Sequence, residues 1–139
     1  MSAVSYPLHG ACQCGQVTYT LTAPPLRVIA CHCLECQKLS TSAFSITAIV
    51  SAATIEFDGP MNHWQRVAES GNVNAARFCP TCGNRIYHYN PADPSLLKLK
   101  PANLSDTRVI QPTAHLWVSQ KQAWFELPEG VPAFAQQGP

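Results

Sequence analysis

All seven cysteines of this 139-residue chain fall into three tight clusters: Cys12-x-Cys14, Cys31-x-Cys33-x-x-Cys36 and Cys79-x-x-Cys82. Thiolates one or two residues apart can converge on one point, as a tetrahedral Zn²⁺ with Zn–S bonds of about 2.3 Å requires. Seven ligands divide into four plus three. Four thiolates saturate a zinc and make a structural site, whereas three leave a position open for water or substrate. The pattern therefore predicts two zinc ions per chain, one closed and one open, with chemistry at the open one. Disulfides fit the same residues poorly, because an odd number leaves one thiol over and neighbours this close bridge each other only with strain. The first fourteen residues include Tyr6-Pro7 and His9-Gly10 and hold no apolar stretch of signal-peptide length. A reducing, cytoplasmic setting is the expectation that follows.

Spacing alone leaves two ways of sharing the ligands. Cys33-x-x-Cys36 with Cys79-x-x-Cys82 would form an ordinary zinc ribbon and leave Cys12, Cys14 and Cys31 over. Cys12 and Cys14 with Cys79 and Cys82 would form a closed site and leave Cys31, Cys33 and Cys36 as a compact trio. The second division uses each local cluster whole, since a metal on Cys33 and Cys36 lies within reach of Cys31.

The elements that must hold these residues read as short strands. Val17, Tyr19 and Leu21 alternate with Thr18, Thr20 and Thr22, a period of two that ends at Pro24-Pro25. Further strands are expected at Phe44–Val50, Thr54–Phe57, Asn74–Phe78, Arg85–Tyr89, Leu96–Lys100 and Ala114–Val118, with turns at Ser70-Gly71-Asn72 and Pro91–Pro94. Helix is confined to Leu34–Leu39 and a turn near Asn103–Thr107. Twelve prolines suit a chain of short elements. The length fits one domain over residues 1–139, with a loosely held Pro/Gln/Gly-rich tail from about residue 130. Nine Lys+Arg against eight Asp+Glu give a formal charge of +1, which provides no basic field for nucleic acid and no polybasic membrane patch. No stretch approaches the roughly 20 apolar residues of a membrane span. Three- and four-thiolate zinc sites would each add net negative charge to that balance.

Three stretches resemble the glutathione-dependent formaldehyde-activating enzyme family: Gly10-Ala11-Cys12-Gln13-Cys14-Gly15-Gln16-Val17-Thr18-Tyr19, Cys31-His32-Cys33-Leu34-Glu35-Cys36-Gln37-Lys38, and Phe78-Cys79-Pro80-Thr81-Cys82-Gly83. The segment His115-Leu116-Trp117-Val118 through Trp124 is similar to the family's closing stretch. The resemblance implies a structural zinc on Cys12, Cys14, Cys79 and Cys82, and a catalytic zinc on Cys31, Cys33 and Cys36. It also implies a mostly β fold, a small antiparallel "tent" of sheets with short helical turns. Two departures flank the trio: the family's basic pair is Gln37-Lys38 here, and Leu39-Ser40-Thr41-Ser42 stands where a glycine commonly follows.

A zinc held by three thiolates is a soft centre suited to a fourth sulfur, and coordination deprotonates that thiol. The small-molecule thiol implied by the resemblance is glutathione. Its thiolate would add to formaldehyde to give S-hydroxymethylglutathione, formally a carbon–sulfur lyase reaction run in reverse. Lys38 is the best-placed donor for the carboxylates of glutathione, ahead of Arg66 and Arg85. His32 is the obvious protein group to close the trio, but chelation by Cys31 and Cys33 from an extended segment points it away. His9, His63, His88 and His115 read as packing or surface residues, Glu35 as a solvated turn residue or a proton shuttle, and Trp64, Trp117 and Trp124 as core. The competing reading is a non-catalytic, zinc-stabilised binding module.

Overall fold

The computed structural model describes residues 4–138. In chain order the strands are β1 (Leu8–Ala11), β2 (Thr18–Leu21), β3 (Arg27–Cys31), β4 (Ser45–Ser51), β5 (Ile55–Asp58), β6 (Asn62–Val67), β7 (Val73–Phe78), β8 (Arg85–Tyr89), β9 (Leu96–Leu99) and β10 (His115–Leu116). One α-helix, α1 (Leu34–Ser40), and several short 3₁₀ turns complete a mostly β chain. Two compact units divide it: the first runs to Leu26 and resumes over Ala48–Val109, and the second takes Arg27–Thr47 and the chain from Ile110 on.

The first unit is antiparallel throughout. β2 lies between β1 and β5, with Tyr19 opposite both Gly10 and Phe57. The other strands run in the order β4, β9, β8, β7, β6, where β4 pairs through Ala48–Ser51. Alternation makes this arrangement stable. Leu21 and Val17, Val50, Ile86 and Leu99 are fully buried, and a side chain of that size contributes about 1.5–3 kcal/mol on burial. The register carries Trp64, Ala76, His88 and Lys98 into one row across β6, β7, β8 and β9.

In the second unit β3 and β10 are parallel, with Ala30 opposite His115 and Cys31 opposite Leu116. The antiparallel expectation fails at this pair. The strand expected over Ala114–Val118 shrinks to two residues because Trp117 adopts a left-handed conformation (φ 57°) and starts a 3₁₀ turn at Val118. The tail expected to be loose from residue 130 is tied down instead. The His115 N–H donates to Pro132 O at 2.9 Å, Phe134 N–H to His115 O at 2.9 Å, and Val118 N–H to Phe134 O at 3.0 Å. These bonds satisfy backbone groups of a two-residue strand that would otherwise stay unpaired.

Three strands lie outside the expected set: β1, β3 and β6. β6 reads Asn-His-Trp-Gln-Arg-Val and is exposed along almost all of its length, so its sequence offers no apolar alternation. Among the described residues no helix is long and apolar enough to cross a membrane.

Candidate metal centres and their surroundings

In the first unit Cys12, Cys14, Cys79 and Cys82 come together, every sulfur within 4.8 Å of the others. Cys14 Sγ lies 3.6 Å from Cys12 Sγ and 3.6 Å from Cys79 Sγ, although Cys14 and Cys79 are 65 residues apart. A tetrahedral zinc places its sulfurs about 3.8 Å from one another, so the spacing suits that ion.

Two turns of the same construction deliver the four thiols. The Cys12 N–H donates to Val17 O at 2.9 Å and the Cys79 N–H to Asn84 O at 3.0 Å, and each turn passes through a glycine with positive φ, Gly15 (82°) and Gly83 (76°). A side chain would strain that conformation, which explains a glycine directly after the second cysteine of each pair. The turns are also joined directly, since the Gln13 N–H donates to Asn84 Oδ1 at 3.1 Å.

Backbone amides point at the sulfurs. Val17 N–H donates to Cys12 Sγ at 3.3 Å, and Thr81 N–H to Cys79 Sγ at 3.4 Å. The Gln16 amide oxygen accepts from the Thr81 hydroxyl and lies 3.6 Å from Cys79 Sγ. Burial alone would raise the Cys12 thiol, but the Val17 N–H and the neighbouring sulfurs outweigh it and bring the group to about 6. At Cys14 the Gln16 N–H lowers the thiol, while burial and the other sulfurs raise it, and the result is about 11. Four sulfurs this close cannot all ionise unless a cation sits among them.

The second unit places Cys31, Cys33 and Cys36 together, again with all sulfurs within 4.8 Å. Here one short stretch supplies everything. Cys31 ends β3, Cys33 is the N-cap of α1, and Cys36 lies in the first turn of that helix. Cys33 Sγ accepts the Cys36 N–H at 3.3 Å, the role a serine or aspartate usually plays at a helix start. All three cysteines are half-buried, whereas the group of four is mixed: Cys12 and Cys79 are buried, Cys82 is half-buried and Cys14 is exposed. The sulfurs of Cys31 and Cys36 hold the Cys33 thiol far below its usual range, and the sulfurs of Cys31 and Cys33 push Cys36 up. The division of ligands that keeps each local cluster whole is thus the one the fold assembles.

His32 points away from the trio, as an extended chelating segment requires. It is wholly buried, with Nε2 2.8 Å from His115 Nδ1, and its ring packs against Phe44 and Phe125 at centroid distances of 4.9 and 5.3 Å. Burial lowers both imidazoles. The His32 N–H donates to Leu116 O at 2.9 Å, which fixes the end of β3 beside β10.

Gln37 is a residue whose part the sequence does not announce. Its Nε2 donates to His32 O at 2.8 Å and to Gln120 O at 2.9 Å, and its Oε1 accepts from Gln122 Nε2 at 2.7 Å. Leu34 N–H adds a bond to Gln120 Oε1 at 2.8 Å. These bonds hold α1, and with it Cys33 and Cys36, against the segment 120–122.

Other singled-out residues scatter. Lys38 is on α1, exposed, with Nζ 3.6 Å from Glu35 Oε1. Arg66 and Arg85 belong to the first unit, as does His88, which is buried against Arg85. His9 and His63 are exposed. Trp64 and Trp124 are exposed too, at 49% and 71%, and so are not core residues. Trp64 stands on the exposed β6, and Trp124 meets the half-buried Phe125 edge-on.

A family model described as "Glutathione-dependent formaldehyde-activating enzyme" matches residues 7–120. A crystal structure of a Rhodobacter sphaeroides protein is similar in fold, with a TM-score of 0.54 at 20% identity, covering 70% of this chain and 87% of that one. No curated protein matches the chain.

Proposed function

The chain belongs to the glutathione-dependent formaldehyde-activating enzyme family, and from that premise we propose that it is a zinc enzyme that joins a small thiol, glutathione, to formaldehyde. In the reaction the thiol sulfur bonds to the aldehyde carbon, and the thiol proton ends on the aldehyde oxygen, giving S-hydroxymethylglutathione. The observation that carries this reading is the inequality of the two cysteine groups: one gathers four sulfurs, enough to fill the coordination of a tetrahedral ion, and the other gathers three, which would leave one position for substrate. The zinc sites are therefore assigned as structural on Cys12, Cys14, Cys79 and Cys82, and catalytic on Cys31, Cys33 and Cys36.

When bound at the trio, zinc supplies a soft Lewis-acid centre that holds a thiol as its thiolate. The protein's own groups do the rest. Cys33 is fixed by capping α1, and the Gln37 bonds prevent Cys33 and Cys36 from drifting relative to Cys31. His32 is committed to His115 and leaves the free corner to substrate. Lys38 carries an exposed ammonium on the same helix, and its contact with Glu35 is too exposed to compete strongly with an incoming carboxylate. A reducing intracellular setting is the one in which both thiol groups keep their metal.

Calorimetric titration of glutathione into fully zinc-loaded protein tests the proposal, with Cys33→Ala as control. Binding to the wild type that vanishes in the folded variant is the expected result. Absence of binding with two zinc ions per chain would contradict it and favour a zinc-stabilised binding module.

A further inference from the structure

Outside both cysteine groups, the first unit gathers positive charge on one face of β6–β9. Directly paired residues of neighbouring strands point to the same side, so Trp64, Ala76, His88 and Lys98 share a face. Arg66 lies two residues along β6 and Lys100 two residues beyond Lys98 in extended backbone, so they share it as well. Arg85 reaches into the group, with Nη1 3.0 Å from His88 Nε2 and its guanidinium carbon 5.8 Å from the centre of the Trp64 ring.

His88 reports what surrounds it. Burial first, then Lys100, Arg85, Lys98 and Arg66, push its imidazole down to about 3. It is neutral at pH 7 and accepts the Arg85 N–H, so the guanidinium is clamped between an acceptor and an aromatic face. Among the described residues no carboxylate lies within ion-pairing distance of Arg66, Arg85 or Lys98. Arg85 is also half-buried, and that burial weakens its hold on its proton. A partly desolvated guanidinium without a counter-ion is an unfavourable arrangement that an incoming oxyanion relieves, in the fork geometry arginine offers.

We propose that this face is an anion-recognition site in which Arg85, flanked by Arg66 and Lys98, takes the carboxylate or phosphate group of a small molecule. Trp64 offers an exposed apolar wall to the rest of that molecule. A small ligand suits the site better than a polymer, because the whole chain has a formal charge of only +1 and no field extends beyond this cluster.

The test uses zinc-loaded, full-length protein. Inorganic phosphate and glutarate are titrated separately while the Arg85 Nε–Hε resonance and tryptophan fluorescence are followed, with sodium chloride at matched ionic strength as reference. A saturable response that chloride does not reproduce is expected. Arg85→Gln should weaken it about tenfold or more, as loss of a charge-assisted hydrogen bond does, and Lys98→Gln about threefold. A response to phosphate alone or to glutarate alone supports the site and names its ligand class. No saturable response to either overturns it, as does unchanged affinity in a folded Arg85→Gln protein. Should Arg85→Gln fail to fold, Lys98→Gln and Arg66→Gln decide instead, and wild-type affinity in both would overturn the proposal.

Discussion

The two cysteine groups use the same ligand atom in opposite ways. The group of four joins turns that are 65 residues apart, with Cys12 and Cys79 buried, Cys82 half-buried and Cys14 exposed, and with backbone amides aimed at its sulfurs. A metal there closes a long loop and does the work a disulfide does elsewhere. The group of three is drawn from six consecutive residues, half-exposed, at a strand end and a helix start. A metal there would close no long loop and so would contribute little to holding distant parts of the chain together. Position in the chain is what distinguishes the two groups in the proposed assignment of one structural and one catalytic zinc.

Breaking the first group should have the largest effect. Cys79→Ala is expected to remove about 5 kcal/mol or more, enough to unfold the protein, read as loss of cooperative thermal melting. Cys33→Ala should cost only the helix cap, about 0.5–2 kcal/mol, while abolishing thiol binding and turnover. Equal loss of fold in both variants would erase the distinction between the groups.

Gln37→Ala sharpens the comparison inside the second unit. It deletes three hydrogen bonds without touching a sulfur, so zinc affinity at the trio should fall about tenfold while the group of four keeps its metal. Metal content after dialysis against a weak chelator reads this directly.

One contribution to the acid response of the first unit comes from His88, apart from any protonation of the cysteine thiols. His88 protonates in the unfolded chain near 6.5 but in the fold only near 3. Between those values the unfolded state binds the extra proton, so stability falls as pH drops, by at most about 1.4 kcal/mol per pH unit from this group. His88→Gln should flatten that part of the stability–pH curve relative to wild type in denaturant titrations. The smallest effect belongs to Lys38→Ala: a rise of a few-fold in KM for glutathione with kcat unchanged, since an exposed ammonium contributes about 0.2–1 kcal/mol.

Local chemistry was the legible part of the sequence. The cysteine spacings mark the three clusters, whereas the part that the glycines at positions 15 and 83 play in the turns presenting four of the seven thiols was not among the expectations. β8 was expected with its observed limits, and α1 to within one residue at its C-terminal end. Features that depend on distant partners were not legible. β6 is a strand because β7 pairs with it, not because Asn62–Val67 has strand character. The His32–His115 contact and the Gln37 bonds to Gln120 and Gln122 join residues more than 80 apart in sequence. The parallel pairing of β3 with β10 and the tethering of residues 132–136 likewise arise only when the chain is folded.

Stepwise metal removal tests the central claim most directly. Zinc-loaded protein is titrated with a chelator while bound zinc, circular dichroism and glutathione binding are followed together. The account predicts that the first equivalent of zinc leaves with loss of glutathione binding and an unchanged spectrum, and that the second leaves only with unfolding. Release of both equivalents in a single step with unfolding, or glutathione binding that survives loss of the first, would contradict it.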